Sequence, residues 1–396
     1  MRSVDRRLRR IGFATAVVLA LGVGVAGKVD ARPVQSKPAR SGEHHFVYTQ
    51  SNGSAGNEVV GFEWDGTALS RIGSWPTGGN GTGFWLGSQG SIAVEGNRLY
   101  VVDGGSNDVA MFAIGKNGSL RLLDRESVYG LKPVSLTVDG DRVVVLTTEQ
   151  FSPCGGIMKC APVQGEACVG IARCGTRLED NLTLLRRRGE SLELVDHVRL
   201  AGNRGSQVSF VEHPGHRRVV VTEKGSNTIS SVTVKGRRFG TPTSITSSGN
   251  TPYGFGITKR GIMVVSNAED EVAGAGTVSS YSLRKKTITP VTASLANGQQ
   301  APCWVAIGEG GRTAYVSNPD SNTISLVRIG HGGALTLAAA SAGPTASLPT
   351  DMVVHHRLLF VTAWQTVEVH AIAADGTIST LGGSAIPDYS QGIAVR

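Results

Sequence analysis

Stretches in which apolar and polar residues alternate recur from residue 45 to the C-terminus, and each contains a short turn rich in Gly, Ser or Asn. They occupy residues 99–114, 219–234 and 314–329 most clearly, and residues 45–64, 142–150, 263–283 and 359–372 more weakly. Alternation with a period of two indicates strands with one buried face. The dipeptides Asn117-Gly118 and Asp375-Gly376 are typical of tight hairpin turns. Each stretch therefore predicts paired strands.

A second phrase, in which apolar residues alternate after a proline or a glycine, precedes these stretches. It occupies residues 133–138, 252–257, 302–307 and 349–354, with variants at 89–94, 205–210 and 390–395. Together the two phrases form seven units, spaced 44–54 residues apart except for one spacing of 75. All-β units of this length, with about four strands each, predict a β-propeller.

The two ends of the repeat region complete each other. The last phrase, at 390–395, lacks a strand after it, and the first strand, at 45–50, lacks one before it. Pairing these two strands in one mixed blade closes the ring and leaves neither edge exposed. We therefore expect an all-β fold, a single seven-bladed β-propeller over residues 45–396.

The first 44 residues follow a different pattern. Basic residues within 1–10 precede an apolar stretch at 11–26, and Val29-Asp30-Ala31 offers a small-residue cleavage site. This order is typical of a signal peptide, and the apolar stretch is short for a membrane span of about 20 residues. We predict a signal peptide at 1–31 and a flexible linker at 32–44. The protein is expected to be exported to the periplasm or the cell exterior.

The positive charge of the chain is concentrated in this N-terminal segment. The formal net charge is +8 at pH 7, and residues 1–40, with nine Lys and Arg against two Asp, carry +7 of it. The repeats are therefore nearly neutral, whereas a surface that follows nucleic-acid phosphates needs clustered positive charge. We expect no nucleic-acid partner, membrane contact only through the signal sequence, and a monomer.

Three features of the repeats point to a known family. They are the strand pairs joined by Ser-Asn-Thr-Ile turns, the segment 57–79 and the segment 86–94. On these features residues 45–396 resemble the lactonase-like seven-bladed propellers, which include propeller-type 6-phosphogluconolactonase, carboxymuconate cyclase and an exported bacterial branch. The resemblance implies the propeller fold and three functional positions, held by His, Arg and Glu in the family's enzymes.

This chain carries other residues at those three positions, namely Ser206, Tyr253 and Asn267. Hydrolysis of a lactone at neutral pH needs a metal or a proton acceptor that titrates near pH 7, and these three side chains supply neither. Glu269 and Asp270 are the carboxylates nearest in sequence to the third position. The sequence thus names no catalytic residue, and a lactone hydrolase with a rearranged site stays open as an alternative.

Residues that open the second phrase are expected to meet at one end of the central channel. Together with Asn267, the candidate ligand-binding residues are Gln89, Ser206, Gln207, Tyr253, Asn267, Trp304, Asp351 and Gln391. Their amides, hydroxyls and aromatic rings around one carboxylate suit a neutral polar ligand. The competing interpretation is structural, because the same side chains can satisfy backbone groups at strand ends.

Four cysteines lie close together in the insertion 151–175, which accounts for the long spacing between units. They are Cys154, Cys160, Cys168 and Cys174. In an exported protein this arrangement predicts two disulfides, with three possible pairings, of which the sequential one is the simplest. The insertion is also the best candidate for a protein contact. The remaining Cys303 is expected to be a buried free thiol.

No cofactor or metal is predicted. The chain contains no phosphate-binding loop and no dinucleotide-binding fingerprint. The pairs His213/His216 and His355-His356 are assigned to solvated turns, and His44-His45 to the end of the linker. The function expected from the sequence is an exported lactonase-like propeller of unassigned activity, which binds a small polar ligand or an envelope protein at its channel face and loop.

Overall fold

The computed structural model describes residues 44–148, 180–211 and 217–396, all of which belong to one compact unit. These residues form seven sheets arranged as the blades of a single β-propeller, as the sequence predicted. The signal peptide, the linker up to residue 43 and the four cysteines of the insertion lie outside the described residues.

The blades are numbered from the first strand, and the strands of each are given from the channel outwards. Blade 1 contains β29 (Gln391–Val395), β1 (His45–Gln50), β2 (Glu58–Trp64) and β3 (Leu69–Pro76). Blade 2 contains β4 (Ile92–Glu95), β5 (Arg98–Asp103), β6 (Asp108–Ile114) and β7 (Leu120–Ser127). Blade 3 contains β8 (Pro133–Asp139), β9 (Arg142–Thr147), β10 (Asn181–Arg188) and β11 (Ser191–Arg199).

Blade 4 contains β12 (Gly205–Val211), β13 (Arg218–Glu223) and β14 (Thr228–Lys235), which pairs with both β15 (Arg238–Phe239) and β16 (Thr243–Thr246). Blade 5 contains β17 (Pro252–Ile257), β18 (Ile262–Asn267), β19 (Thr277–Ser282) and β20 (Thr289–Ala296). Blade 6 contains β21 (Trp304–Ile307), β22 (Thr313–Asn318), β23 (Thr323–Ile329) and β24 (Leu335–Pro344). Blade 7 contains β25 (Asp351–His355), β26 (Leu358–Ala363), β27 (Thr366–Ile372) and β28 (Ile378–Ala385).

Two short 3-10 turns, Glu269–Glu271 and Pro319–Ser321, complete the regular structure of the described residues. No helix among those residues has the length and apolar character that a membrane crossing requires.

Blade 1 closes the ring with strands from both ends of the chain. β29 pairs antiparallel with β1, in a register that sets Val395 opposite Val47. The backbone N–H of Phe46 donates to the carbonyl of Arg396 over 3.0 Å, and the N–H of Arg396 donates back over 2.9 Å. The closure expected from the two incomplete ends is therefore confirmed, and no blade edge is left open at the junction.

The core lies between neighbouring blades and is built from their middle strands. β5 (RLYVVD) is buried on both faces except at its first residue, whereas the outer β7 (LRLLDRES) exposes most of its polar positions. The predicted hairpin turns join this packing. Tyr48 of blade 1 donates a hydrogen bond to Gly118 of blade 2, and Tyr315 of blade 6 donates one to Gly376 of blade 7. Both glycines have positive φ, which the turns require.

Candidate functional site

One face of the propeller gathers the loops that lead into the innermost strands. On this face the seven innermost strands begin, and the loops between the second and third strands of each blade also lie there. Thr148 and Asp180 are the described residues that flank the insertion, and both belong to the loop between β9 and β10 of blade 3. This arrangement brings residues that are distant in sequence to the mouth of the central channel.

A short segment of blade 2, Gly87–Gly90, crosses the channel at this face. The N–H of Gln89 donates to Ser206 in blade 4, and its side-chain amide exchanges two hydrogen bonds of 3.1 Å with the backbone of Val305 in blade 6. The N–H of Gly90 donates to Asp351 in blade 7 over 3.2 Å. This one segment therefore connects blade 2 to blades 4, 6 and 7 across the channel. We call it the crossing segment.

Several of the predicted ligand-binding residues hold this region together. Gln207 exchanges two hydrogen bonds with the backbone of Phe255, and Gln391 accepts one from the N–H of Leu86. Asp351 accepts from Gly90 and from Met352, and it is 2% exposed. These contacts agree with the structural interpretation of the same side chains. Their role in ligand binding stays a prediction.

The three positions suggested by family resemblance, Ser206, Tyr253 and Asn267, differ in their exposure to solvent. Ser206 and Asn267 are both 0% exposed, and the Asn267 amide donates to Thr277 and Ser279 within its own blade. Tyr253 is partly accessible at the mouth, where its ring lies 5.0 Å from the ring of Trp304. The structure therefore does not bring these three residues together as one accessible group.

Lys224 occupies the centre of the mouth and was not singled out by sequence. Its ammonium donates a hydrogen bond to the carbonyl of Gly87 and lies 4.3 Å from the centroid of the Tyr253 ring, a cation–π contact. The residue as a whole is partly accessible, whereas its ammonium is enclosed by protein. Burial, followed by the positive charge of Arg204, lowers the pKa of Lys224 to about 7.

Two further cations stand beside Lys224. Lys132 and Arg204 each immediately precede an innermost strand and have left-handed backbones, with φ of 53° and 54°. Both charges act on the Lys224 ammonium, and burial together with Arg204 lowers the pKa of Lys132 to about 8. We refer to Lys132, Arg204 and Lys224 as the basic cluster. Its charge is local, since the repeats as a whole are nearly neutral.

Two carboxyl groups, Asp180 and Glu223, are fully buried behind the basic cluster. Asp180 accepts a hydrogen bond of 2.5 Å from the N–H of Gly205, and Glu223 accepts one from Ser230. Burial raises the pKa of Asp180 to about 6 and that of Glu223 to about 7. These carboxyls thus carry less negative charge near neutral pH than exposed ones, so they only partly neutralise the basic cluster.

Comparison of equivalent positions in the repeats could have singled out Lys224. The strand end Glu223-Lys224-Gly225 corresponds to Asp103-Gly104-Gly105 in blade 2 and to Asn318-Pro319-Asp320 in blade 6. The first position of each triplet is a buried polar residue in all three blades, whereas the second is Gly, Lys or Pro. A lysine that replaces turn residues at a repeated position marks a site at which one blade differs from the others.

Cys303 lies below Tyr253 and Trp304 and is 7% exposed. Its carbonyl accepts a 2.6 Å hydrogen bond from the N–H of Gly254. Burial raises the pKa of the thiol well above its ordinary value, more than the charge of Lys224 lowers it. The prediction of a buried free thiol is confirmed, and a protonated, enclosed thiol is a poor nucleophile.

An aromatic cluster lies on the same face at blades 7 and 1. Trp85 and Trp364 have ring centroids 5.0 Å apart, and Tyr389 lies 5.1 Å from Trp364. Phe84 extends this cluster and is 60% exposed. The face therefore combines a positive region near blades 3 and 4 with an apolar region on the opposite side of the mouth.

Solved structures with the same architecture come from several bacteria. The periplasmic gluconolactonase of Pseudomonas aeruginosa is 16% identical, with a TM-score of 0.64 over 89% of this chain and 99% of that chain. A protein from Lactobacillus plantarum is 14% identical, with a TM-score of 0.67 over 89% of this chain and 99% of that one. A candidate 6-phosphogluconolactonase from Bacteroides fragilis is 14% identical, with a TM-score of 0.62 over 91% and 100%.

No protein-family model matches the sequence, and no curated protein does either. The resemblance to lactonase-like propellers is thus confirmed at the level of the fold. A fold of this kind carries many unrelated activities, so function has to be argued from the residues at the mouth of the channel.

Proposed function

We propose that the protein binds a small polar anion at the mouth of the channel, against the basic cluster and Tyr253. The observation that carries this proposal is the convergence of Lys132, Arg204 and Lys224 at the crossing segment, with the carboxyls of Asp180 and Glu223 buried behind them. Cations in partly dehydrated surroundings attract an anion more strongly than they do in bulk water. Sequence analysis favoured a neutral ligand, and the basic cluster shifts the proposal to an anionic one.

The proposed ligand class is a small carboxylate that carries hydroxyl groups. Arg204 offers a planar pair of donors that suits a carboxylate, and Lys224 adds a second charge. The Tyr253 hydroxyl lies near Gly87, because a Cβ built on that glycine would be 3.7 Å from it. The ring of Tyr253, which packs against the buried Trp304, offers flat apolar surface to the carbon skeleton of the ligand.

Isothermal titration of the purified protein with D-gluconate tests this proposal. We expect binding that weakens with rising salt and that falls at least about tenfold in Lys224→Gln and Arg204→Gln, since each substitution removes one charge-assisted contact. Lys259→Gln, at an exposed position on the opposite face, is the matched control and should bind as the wild type does. Equal affinity in Lys224→Gln and the wild type would contradict the proposal, as would equally tight binding of neutral D-glucose.

A second candidate function is hydrolysis of a lactone, and the pKa of Lys224 favours it. Sequence analysis found no proton acceptor near neutral pH, whereas Lys224 has a pKa of about 7 and is partly accessible. Its neutral amine would take a proton from an attacking water, and the ammonium would return it to the leaving alkoxide. Proton transfer by a positioned side chain accelerates reactions by roughly 10²–10⁴-fold.

Hydrolysis of δ-gluconolactone, followed in a pH-stat, tests the second candidate. We expect the enzymatic rate above background to rise through pH 7 and to fall at least about 100-fold in Lys224→Met and in Lys224→Arg, because an arginine stays protonated. Lys259→Met should keep full activity. A rate that Lys224→Met leaves intact would exclude Lys224 as the base. Binding of gluconate without turnover would leave the first candidate standing alone.

Export to the periplasm or the cell exterior is part of the same proposal. It is supported by the charged and apolar segments at residues 1–26 and by the structural similarity to the periplasmic gluconolactonase of Pseudomonas aeruginosa. An envelope protein could meet the same face through the insertion, whose two ends, Thr148 and Asp180, lie there. The two disulfides predicted within that insertion stay a prediction.

A further inference from the structure

Three histidines from opposite ends of the chain meet at the seam where the ring closes. His45 begins β1 in blade 1, and His355 and His356 stand at the end of β25 in blade 7. One ligand nitrogen from each imidazole lies within 4.8 Å of the others. Sequence analysis placed these residues in a linker end and a turn, 310 residues apart, and no pattern in the sequence connects them.

The three rings pack directly against one another at this seam. The rings of His355 and His356 are stacked, with centroids 4.3 Å apart and an interplanar angle of 9°. The His45 ring stands edge-on to both, at 4.8 Å and 5.1 Å. His45 is 4% exposed, whereas His356 is exposed. The group is therefore anchored in the protein on one side and open to solvent on the other, so an ion and its water ligand can enter.

The backbone of the turn departs from its counterparts in the other blades. His356 and Arg357 both have positive φ, 47° and 58°, in a two-residue hairpin between His355 and Leu358. The corresponding turns that the structure describes place a glycine in this conformation, at Gly96, Gly140, Gly261 and Gly311. Left-handed backbone is uncommon for residues other than glycine, and asparagine, aspartate and histidine adopt it more often than the rest. Blade 7 thus keeps a histidine where the fold itself favours glycine.

We propose that His45, His355 and His356 bind a first-row transition-metal ion of the zinc, nickel and copper class, which fastens the closure of the ring. Imidazole nitrogen suits these metals, whereas magnesium and calcium prefer oxygen ligands. Zinc–nitrogen distances of about 2.0–2.1 Å set the nitrogens about 3.3 Å apart in a tetrahedron. An imidazole nitrogen binds a metal in the plane of its ring, so the exposed His356 ring has to rotate out of its stack on His355 for all three nitrogens to face one ion. A water would complete the tetrahedron.

The position of this site determines what a bound ion would do. β25 begins at Asp351, beneath the crossing segment, and ends at His355, so the three histidines lie on the face opposite the basic cluster. An ion there would connect β1, the first strand of the chain, to blade 7, its neighbour across the closure. Ring opening would require its release, which makes the ion a stabilising ligand rather than part of the proposed anion site.

Equilibrium binding of Zn²⁺ to the chelator-treated protein, with thermal unfolding, tests the proposal. His356→Asn is the principal variant, because asparagine favours the same left-handed turn while removing a strong ligand. His45→Gln removes the buried ligand, and His331→Asn, an exposed loop histidine, is the matched control. We expect His356→Asn and His45→Gln to lose one equivalent of Zn²⁺ or to bind it at least about 100-fold more weakly, while His331→Asn matches the wild type.

The thermal measurement addresses the fastening role separately. Zn²⁺ is expected to raise the Tm of the wild type and of His331→Asn, and to leave the Tm of His356→Asn unchanged. Unaltered Zn²⁺ stoichiometry and affinity in His356→Asn would overturn the site. A lost equivalent with the same Tm shift in His356→Asn and the wild type would overturn the fastening role. Should His45→Gln fail to fold, His356→Asn alone decides both points.

Discussion

Replacing Gly254 with alanine is expected to destabilise the protein by about 3 kcal/mol and to lower its Tm by about 4 °C. Gly254 lies at the start of β17, where the crossing segment and blade 6 approach its backbone closely. A Cβ added there would contact Gln89 Oε1, would lie 2.7 Å from the carbonyl oxygen of Cys303 and would lie 3.0 Å from Trp304 Cα. Two of these neighbours are backbone atoms, which cannot move without disturbing β21.

The expected loss has two sources. Overpacking of a tight site costs about 1–3 kcal/mol because neighbouring atoms must shift. The shift would also strain the hydrogen bond from Gly254 to Cys303 and the pair between Gln89 and Val305, all of which are buried. Buried polar groups that lose their partners cost about 1–3 kcal/mol each.

Gly382→Ala is the matched control for this substitution. Gly382 lies in the outer strand β28, and a Cβ added there would have no neighbour within 4 Å. We expect this variant to remain within about 0.5 kcal/mol of the wild type. Denaturant and thermal unfolding of both variants compare the two positions. A stability of Gly254→Ala equal to that of Gly382→Ala would show that the crossing segment is not packed tightly against β17.

Stability is expected to fall as the pH rises from 5 to 7, by up to about 1.4 kcal/mol per pH unit for each of four buried carboxyl groups, in contrast to the usual maximum near neutral pH. The cause is a set of carboxyl groups that burial keeps protonated above their ordinary pKa. Burial raises the pKa of Asp103 to about 8, that of Asp351 and Glu223 to about 7, and that of Asp180 to about 6.

The sign follows from the protons bound in each state. Between pH 4 and pH 7 the unfolded chain has released these protons while the folded protein still holds them, so rising pH favours unfolding. One such group changes the unfolding free energy by up to about 1.4 kcal/mol per pH unit. Lys224 and Lys132, with lowered pKa values of about 7 and 8, act in the opposite direction only above that range. The window from pH 5 to 7 is therefore the one in which the carboxyls contribute most strongly.

Asp351→Asn tests the contribution of one carboxyl. The asparagine keeps an oxygen that can accept from Gly90 or Met352 but cannot ionise. We expect the fall in stability between pH 5 and 7 to become shallower, by up to about 1.4 kcal/mol per pH unit. Asp320→Asn, in the exposed Pro319–Ser321 turn, should leave the slope unchanged. A wild-type Tm that rises from pH 5 to 7 would contradict the expectation, as would identical slopes in Asp351→Asn and the wild type.

The site was harder to predict than the fold, because the fold follows from local sequence patterns whereas the site depends on contacts between distant units. The two-residue alternation and the turn dipeptides depend on local geometry, and they predicted the blades and the closure of β29 on β1. Lys224 is a single residue in a repeat, and its importance comes from Arg204, Gly87 and Tyr253, which belong to three different units. Sequence analysis selected Tyr253 by its position in the phrase and passed over the lysine beside it.

The residues that open the second phrase also show that the sequence pattern predicts position but not side-chain contacts. The second phrase forms the innermost strand, so the sequence could predict that Gln89, Gln207 and Gln391 lie near one end of the channel. It could not predict that Gln89 contacts Val305, Gln207 contacts Phe255 and Gln391 contacts Leu86, because these contacts depend on how the blades pack. A polar side chain at a strand end can face a ligand or a backbone amide, and alternation alone does not distinguish the two.

By itself the sequence determined the all-β architecture, the seven repeats, the joining of the chain ends and the confinement of net positive charge to the N-terminus. These properties follow from period, spacing and composition, which are read along the chain. Only the tertiary structure decided the path of the crossing segment, the basic cluster, the buried carboxyls and the meeting of His45 with His355 and His356. The physical reason is that pKa values, hydrogen bonds and metal ligands depend on distances in space, and in a ring of blades the nearest neighbours are distant in sequence.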